Sequence, residues 1–573
     1  MSHQEYVDRR FAELMMRLGH IDNRALADVF VRLSRGLSNQ HSCLDLADGD
    51  TDTTLIEALR RLSIVSEDGA GTPLVLEDTR LYMQRYHYYE TGIARRLVDM
   101  NQPLAGASPS SCGEVIGDIF GAATSSDQAV AVLHAIARQL TIIVGGPGTG
   151  KTTAVVRLLQ ALARTHQGQP LSIKLAAPTG KAAMRMKEAI RQSGVETVPE
   201  VLTLHRLLGV RSNGREFRYG EHNPMLLDLL IVDEVSMIDL AMMHRLLTAM
   251  PPRARLVLLG DPDQLPSVEA GNILGDICKY PAGYSETFAA FVRDALGVSL
   301  DAAARPHRLN DAVCRLHQTH RFSPDAGIGS LSRQIRDGLP VTLGHSDEVE
   351  VRHLDTFNAQ TVVDDYSEYL DLVSAGASAA DLLDAFDKVR VLAPIREGDG
   401  GVDSINQAIE AVLTESGIIA AETPFYFGRP ILVTRNDYNL RLFNGDVGIC
   451  VKQDGEDPVV VFRDAAGEQR TYLASRLPPH ETCFAMTVHK SQGSEFDKVV
   501  LVLPNPTSEQ TAQMMTRELI YTAVTRARQM VVIYAEDATL QACLARRSVR
   551  HSGLGERFIG SATPPPKGQM TLF

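Results

Sequence analysis

The chain has 573 residues, 44% of them hydrophobic and 22% charged, and a net charge of −13. This composition excludes a disordered or fibrous chain, and it excludes a protein that coats nucleic acid through a generally basic surface, although a local groove can still be basic. The length suits about three or four domains. Seven scattered cysteines (43, 112, 278, 314, 450, 483 and 543), with no CxxC pair and no metal-ligand spacing, read as reduced structural thiols.

No apolar run approaches the roughly 20 residues of a membrane span, and MSHQEYVDRRFAELMMRLGH lacks a signal-peptide layout. A soluble, cytoplasmic protein without membrane contact is expected. Residues 1–110 carry apolar positions spaced by three and four in YVDRRFAELMMRL, ALADVFVRLSRGL and TLIEALRRL, which predicts a helical N-terminal domain. The stretch GASPSSC, Gly106 to Cys112, reads as a linker.

Across residues 111–339 the runs LTIIV, LSIKLAA, LLDLLIVDE and RLVLLGD alternate with helical patterns, as in a parallel sheet covered on both faces. The first run leads into LTIIVGGPGTGKTT, a P-loop with GxxxxGK[ST] filled from Gly145 to Thr152. Gly145, Gly146, Gly148 and Gly150, with Pro147 and Thr149 between them, aim backbone N–H groups inward at the start of a helix whose dipole attracts phosphate. Lys151 is expected to reach the β- and γ-phosphates of ATP, and the Thr152 hydroxyl to ligate Mg²⁺, with Thr153 closing the nucleotide-binding stretch. Hydrolysis also needs a metal-bound carboxylate and a base at a neighbouring strand end. In LLDLLIVDEVSMID, Asp233 fits the metal and Glu234 the attacking water. The next strand ends LVLLGDPDQLPSV, placing Asp261, Asp263 and Gln264 at the same edge; Gln264 is positioned to sense the γ-phosphate, an ordinary Asp-Pro turn being the alternative. Leu208 to Pro224, with an Asn213-Gly214 turn, reads as a protruding hairpin, and Tyr280 to Leu309 fits an insertion.

A second α/β domain, residues 340–558, is marked by VRVLAP from Val389, KVVLVLP from Lys498 and MVVIYA from Met530. Within it, Gly428 to Leu477 is strand-rich with turn residues at short intervals, as in a small inserted β-barrel. The tail, residues 559–573, carries three consecutive prolines and is expected to be disordered. Two such domains with one P-loop imply a nucleotide in the cleft between them.

Eight motifs in order resemble superfamily 1 helicases: GGPGTGKTT, APTGKAA (Ala177 to Ala183), TLHRLL (Thr203 to Leu208), IVDEVSMID, LLGDPDQLPSV, QTHRF (Gln318 to Phe322), MTVHKSQGSEFDKV (Met486 to Val499) and YTAVTRAR (Tyr521 to Arg528). The resemblance implies two tandem RecA-like parallel-sheet domains. It places Gln128 as the adenine-reading glutamine, Arg321 and Arg526 as arginines directed at the γ-phosphate from the second domain, and Glu495 near the ribose. Either arginine alone also fits a surface ion pair. It further implies a single-stranded track held by Thr179, Gly180 and Lys181, with Arg185 and Lys187 nearby, by Thr203 and His205, and on the second domain by Thr487, His489 and Ser491. Hydroxyls and amides of this kind grip phosphates without reading bases.

RLSRGLSNQHSCLDL, LAPIREGDGGVDSIN (Leu392 to Asn406) and TRNDYNLRLFNGDVG (Thr434 to Gly448) are similar to the RecD family, the alpha subunits of exodeoxyribonuclease V. That likeness implies an ATP-dependent 5′→3′ DNA helicase working with RecB and RecC on double-strand ends, the N-terminal domain serving as docking surface. No carboxylate cluster resembles a nuclease site. A stand-alone RecD-like helicase, an RNA motor, or an assembly subunit using ATP as a switch are the alternatives. The terminal QMTLF, Gln569 to Phe573, resembles the pentapeptide with which bacterial proteins dock on the sliding clamp.

Overall fold

The computed structural model describes residues 3–47, 53–166, 171–195, 198–211, 216–280, 283–303, 307–322, 326–341, 344–419, 423–437, 439–451, 457–463 and 467–559. The Asn213-Gly214 turn, the prolines of the tail and QMTLF lie outside the described residues.

The N-terminal unit has the expected helices, His3–Leu18, Arg24–Ser38, Thr53–Arg60 and Gln84–Met100. It also holds an unanticipated sheet of four short strands, β1 (Cys43–Asp45), β2 (Val65–Ser66), β3 (Leu74–Glu77) and β4 (Arg80–Met83), in the order β1-β4-β3-β2. Strands of two to four residues show too little alternation to stand out from a helical background. The expected linker is largely helix as well: Ser108 caps Pro109–Phe120, with proline at the first turn where its missing N–H is harmless.

The first large sheet is parallel throughout: β5 (Leu140–Gly145), β6 (Ile173–Ala177), β7 (Glu200–Thr203), β8 (Leu229–Val232), β9 (Arg255–Gly260) and β10 (Val313–Leu316), in the order β10-β5-β9-β8-β6-β7. Alternate residues face opposite layers. Ile142, Val144, Leu256 and Leu258 pack with Ile93 and Leu97 of the N-terminal unit's last helix, while Ile143, Val257 and Leu259 pack under the helices Asp127–Ala137 and Lys151–Thr165. In the segment expected as an insertion, the described residues 283–303 are integrated into the first domain, since helix Glu286–Leu296 sends Phe288 and Val292 into that second layer. The expected hairpin is represented by the antiparallel bridge Val210–Phe217.

The second large sheet contains β11 (Gly344–His345), β12 (Val349–His353), β13 (Val389–Ala393), β19 (Ala485–Thr487), β20 (Phe496–Leu503) and β21 (Ala527–Ala535), ordered β11-β12-β21-β20-β13-β19 and parallel except at the β11 edge. Between β13 and β19 lies an antiparallel sheet of β14 (Pro430–Val433), β15 (Val447–Val451), β16 (Val459–Arg463), β17 (Gln469–Leu473) and β18 (His480–Thr482), ordered β17-β16-β15-β14-β18. Among the described residues β17 and β18 do not pair, so the expected closed barrel is not confirmed. The insert also runs on to Thr482.

After Ala545 the chain leaves the second sheet. Leu554 and Phe558 are buried in the core of the first domain, and Ile559, expected in a disordered tail, bridges to His307.

Candidate functional site

Parallel strands put all their carboxyl ends on one edge, where α/β sheets open crevices for ligands. Loops after β5, β8, β9 and β10 meet groups of the second domain there, around a cavity of about 770 Å³. Gln128, Pro147, Gly148, Gly150, Lys151, Thr152 and Thr153 line one side of it.

Gly150 sits at φ 85° and Gly148 at φ 72°. A Cβ on Gly150 would lie 2.0 Å from Gln128 Nε2, and one on Gly148 2.4 Å from the Arg321 Cβ. Backbone conformation and close approach both require glycine here. Thr149 Oγ1 donates to the Gly146 carbonyl at 2.8 Å, and Gln128 Nε2 to the Thr149 carbonyl at 3.2 Å, bracing the loop from inside. Lys151 Nζ lies over the loop, donating to the carbonyls of Gly145 at 2.5 Å and Gly146 at 3.0 Å.

Asp233 and Glu234 enter from the end of β8. Burial and the neighbouring Glu234 charge push the Asp233 carboxyl up to about 6, against the pull of Lys151. An oxygen donor so placed, sharing the cavity with Thr152, fits a divalent cation, whose own charge reverses the effect of burial. Glu234 has φ 54° and ψ 44°, a left-handed conformation rare outside glycine, of the kind that clusters at functional sites. Gln264, from the loop after β9, donates to Asp261 Oδ2 at 3.2 Å, while its buried Oε1 has no partner among the described residues.

The second domain closes the cavity. Arg526 is 2% exposed, its Nε donating to the Thr522 carbonyl at 3.1 Å, and it faces the charges of Glu234, Glu495 and Asp261. Arg321, expected from the second domain, instead follows β10 of the first sheet and packs on Gly148; its Nη2 donates to Glu495 Oε1 at 2.7 Å, Arg185 bonds the same oxygen, and Arg528 Nε lies 3.4 Å from Oε2. Burial alone would raise the Glu495 carboxyl; Arg185, Arg321 and Arg526 outweigh it and hold the group down at about 2. Glu495 thus gathers arginines from both domains.

The loop after β9 is also gripped by the second domain. Tyr521 Oη donates to Asp261 Oδ2 at 3.1 Å, the Leu265 N–H to Thr522 Oγ1 at 2.8 Å, and Gln492 Nε2 to the Leu265 carbonyl at 3.0 Å. Sequence reading missed these roles, together with that of Arg528. The signal available for Tyr521 and Thr522 was their position within two turns of Arg526 on one helical stretch, Arg517–Val524 and its exit.

The expected track residues fall into separate groups. Thr179 caps helix Gly180–Gln192, accepting from the Ala182 N–H at 3.3 Å, and packs against Gly493 of the second domain. Lys181 lies among Asp387, Arg390 and Asp446, burial lowering its ammonium below the ordinary range. Thr203 is paired in register with Ala177, so both loops leave adjacent strand ends, and His205 stands 6.1 Å from the Phe217 ring. Thr487 Oγ1 accepts from the Lys490 N–H at 3.4 Å. His489 opens onto a separate groove of about 480 Å³ with Gln40, Leu265 and Arg550. Ser491 is fully buried, and its hydroxyl donates inward to the Val488 carbonyl at 2.7 Å, so that hydroxyl does not present itself to a track.

Two family models match: "AAA domain" over residues 128–270 and "UvrD-like helicase C-terminal domain" over residues 482–534. The RecBCD enzyme subunit RecD of Haemophilus influenzae is 37% identical over 472 residues, covering 75% of this chain and 72% of that protein. The corresponding subunit of Mycolicibacterium smegmatis is 36% identical over 550 residues, 91% of this chain and 90% of its own. The ATP-dependent RecD2 DNA helicase of Deinococcus radiodurans is 32% identical over 441 residues, 76% of this chain but 52% of that longer protein. Among the described residues no helix is long and apolar enough to cross a membrane.

Proposed function

The chain belongs to the family of RecD subunits of RecBCD enzymes, and on that premise we propose that it is the ATP-driven DNA helicase subunit of such a complex, moving 5′→3′ along one strand of a broken duplex. The observation that carries this reading is the cavity in which Lys151, Thr152, Asp233 and Glu234 of the first domain, with Arg321 on the loop after β10, face Arg526 of the second domain. A nucleotide bound there is held by both domains, so its hydrolysis changes how tightly they close.

In this reading Gln128 lies beside the base, Glu495 near the ribose, and the loop Gly145 to Thr153 wraps the phosphates. Thr152 and Asp233 would hold Mg²⁺, which would neutralise phosphate charge when bound. Glu234 orients the attacking water, Gln264 senses the γ-phosphate, and Arg526 with Arg321 stabilises the charge that develops in transfer. Arg321 is paired with Glu495, so engagement of the phosphates trades one anion for another at little desolvation cost. Closure and opening carry the strand past Thr179, Lys181, Thr203, His205, Thr487 and His489.

The N-terminal unit docks on RecB and RecC in a cytoplasmic heterotrimer, and Gln569 to Phe573 supplies a sliding-clamp contact. Lys151→Gln is expected to abolish DNA-stimulated ATP hydrolysis and displacement of a 5′-tailed duplex while leaving assembly with RecB and RecC intact. Normal turnover in that variant would refute the mechanism, and equal displacement of 3′-tailed duplexes would refute the polarity.

A further inference from the structure

The chain that leaves the second domain at Ala545 returns to the first by way of the loop Asp261 to Gly271. Its first residues belong to the second domain: the Arg517 N–H donates to the Arg546 carbonyl at 2.9 Å, and the Ser548 N–H to Glu518 Oε2 at 2.8 Å. Its last belong to the N-terminal unit and the first domain. Ser552 Oγ and the Gly553 N–H donate to the fully buried Glu90 at 2.9 and 3.2 Å, and Phe558 lies in the first domain's core.

Arg550 stands between these anchors. Its guanidinium donates to the carbonyls of Glu269 at 2.9 Å and Gly271 at 2.7 Å, and it bonds Gln40 Oε1 of the N-terminal unit. Gln40 in turn accepts the Gly271 N–H on its own carbonyl at 3.1 Å and adopts a left-handed backbone with φ 68°. The loop is therefore held at both ends. Tyr521, Thr522 and Gln492 of the second domain take its start, next to Gln264, while Arg550 and Gln40 take its finish. Helix Arg517–Val524 supports both attachments, since it carries Tyr521, Thr522 and the Glu518 that accepts from the Ser548 N–H of the returning chain.

We propose that Arg550 is a positioning residue of the ATPase, tying the far end of the Gln264 loop to the N-terminal unit so that movement of the second domain reaches that unit together with the nucleotide. A residue that only filled carbonyl valences would affect stability and nothing else. A planar guanidinium reaching two carbonyls of one loop and the side-chain amide of Gln40 in another unit fixes their relative positions, which a single ammonium cannot reproduce. The inference rests on the ATP-driven reading above.

The test uses the full-length chain and its Arg550→Gln, Arg550→Lys and Gln40→Ala variants. Steady-state ATP hydrolysis is measured with and without a single-stranded oligonucleotide, and chemical unfolding is followed alongside. Arg550→Gln should lower the DNA-stimulated kcat about tenfold, with KM for ATP and the unstimulated rate within about twofold of the parent. Arg550→Lys should fall between, and Gln40→Ala should lose about threefold in stimulation while remaining folded. Stimulated kcat within twofold of the parent in Arg550→Gln overturns the proposal. If Arg550→Gln does not fold, parental stimulation in both Arg550→Lys and Gln40→Ala overturns it. A parent chain without DNA-stimulated hydrolysis removes the motor reading itself, and the proposal with it; parental activity unchanged by the variants removes the proposal alone.

Discussion

Replacing Glu495 by glutamine keeps the side chain's shape and removes the charge around which Arg185, Arg321 and Arg528 converge. The side chain is 9% exposed, so screening by water is weak. Its carboxyl falls from an ordinary 4.5 to about 2 in the folded protein. At about 1.4 kcal/mol for each tenfold change in proton affinity, that difference is worth about 3 kcal/mol of folding free energy. A depressed folded value means that the stabilisation is complete above about pH 4.5 and is lost as the pH falls toward 2. Urea unfolding of the parent and of Glu495→Gln between pH 7 and pH 3 should therefore give curves that differ by about 3 kcal/mol at neutral pH and converge on acidification. Other carboxylates titrate equally in both proteins, so the difference isolates Glu495. A constant offset across that range, or none, would refute the claim that this carboxylate stabilises the closed cleft electrostatically.

Gly150→Ala places a Cβ within 2.0 Å of the Gln128 amide at a backbone φ of 85°. The variant should lose about 1–2 kcal/mol of stability and at least tenfold in nucleotide affinity, read by unfolding and by titration with a fluorescent ATP analogue. Arg390 is fully buried, donating to the carbonyls of Cys483 at 2.7 Å and Phe386 at 3.3 Å, with its guanidinium carbon 3.9 Å from the Phe386 ring centroid. Arg390→Ala should cost about 3–5 kcal/mol through cavity and lost contacts, and Arg390→Met clearly less, because methionine refills the volume without a buried charge. Equal losses in the two would show that the hydrogen bonds, and not the packing, decide the site.

Much of the motor was legible along the chain. The Gly145 to Thr153 loop, the Asp233-Glu234 pair and the Asp261 to Gln264 turn each follow an apolar strand, and a parallel sheet delivers every such strand end to one edge. Their meeting in one cavity follows from that rule once the strands are recognised. The two-to-four-residue strands of the N-terminal unit were not legible, since so short an alternation cannot be told from chance, and the antiparallel insert showed its turns but not whether its edges pair. Ser491 looked like a track contact because its motif suggested one; its burial depends on how Val488 and Gln492 pack, which spacing does not encode.

The sequence by itself determined the glycine-rich loop and helix start that suit a phosphate, because the requirement is local: glycines, a helix start and a lysine lie within nine consecutive residues. Tertiary structure alone decided that Glu495 collects Arg185, Arg321 and Arg528, that Tyr521 reaches Asp261, and that Arg550 joins the Gln264 loop to Gln40. These contacts join residues tens to hundreds of positions apart, and most of them run between different units of the fold. Their geometry is set by how those units dock, and no periodicity or turn preference within any one segment carries that information.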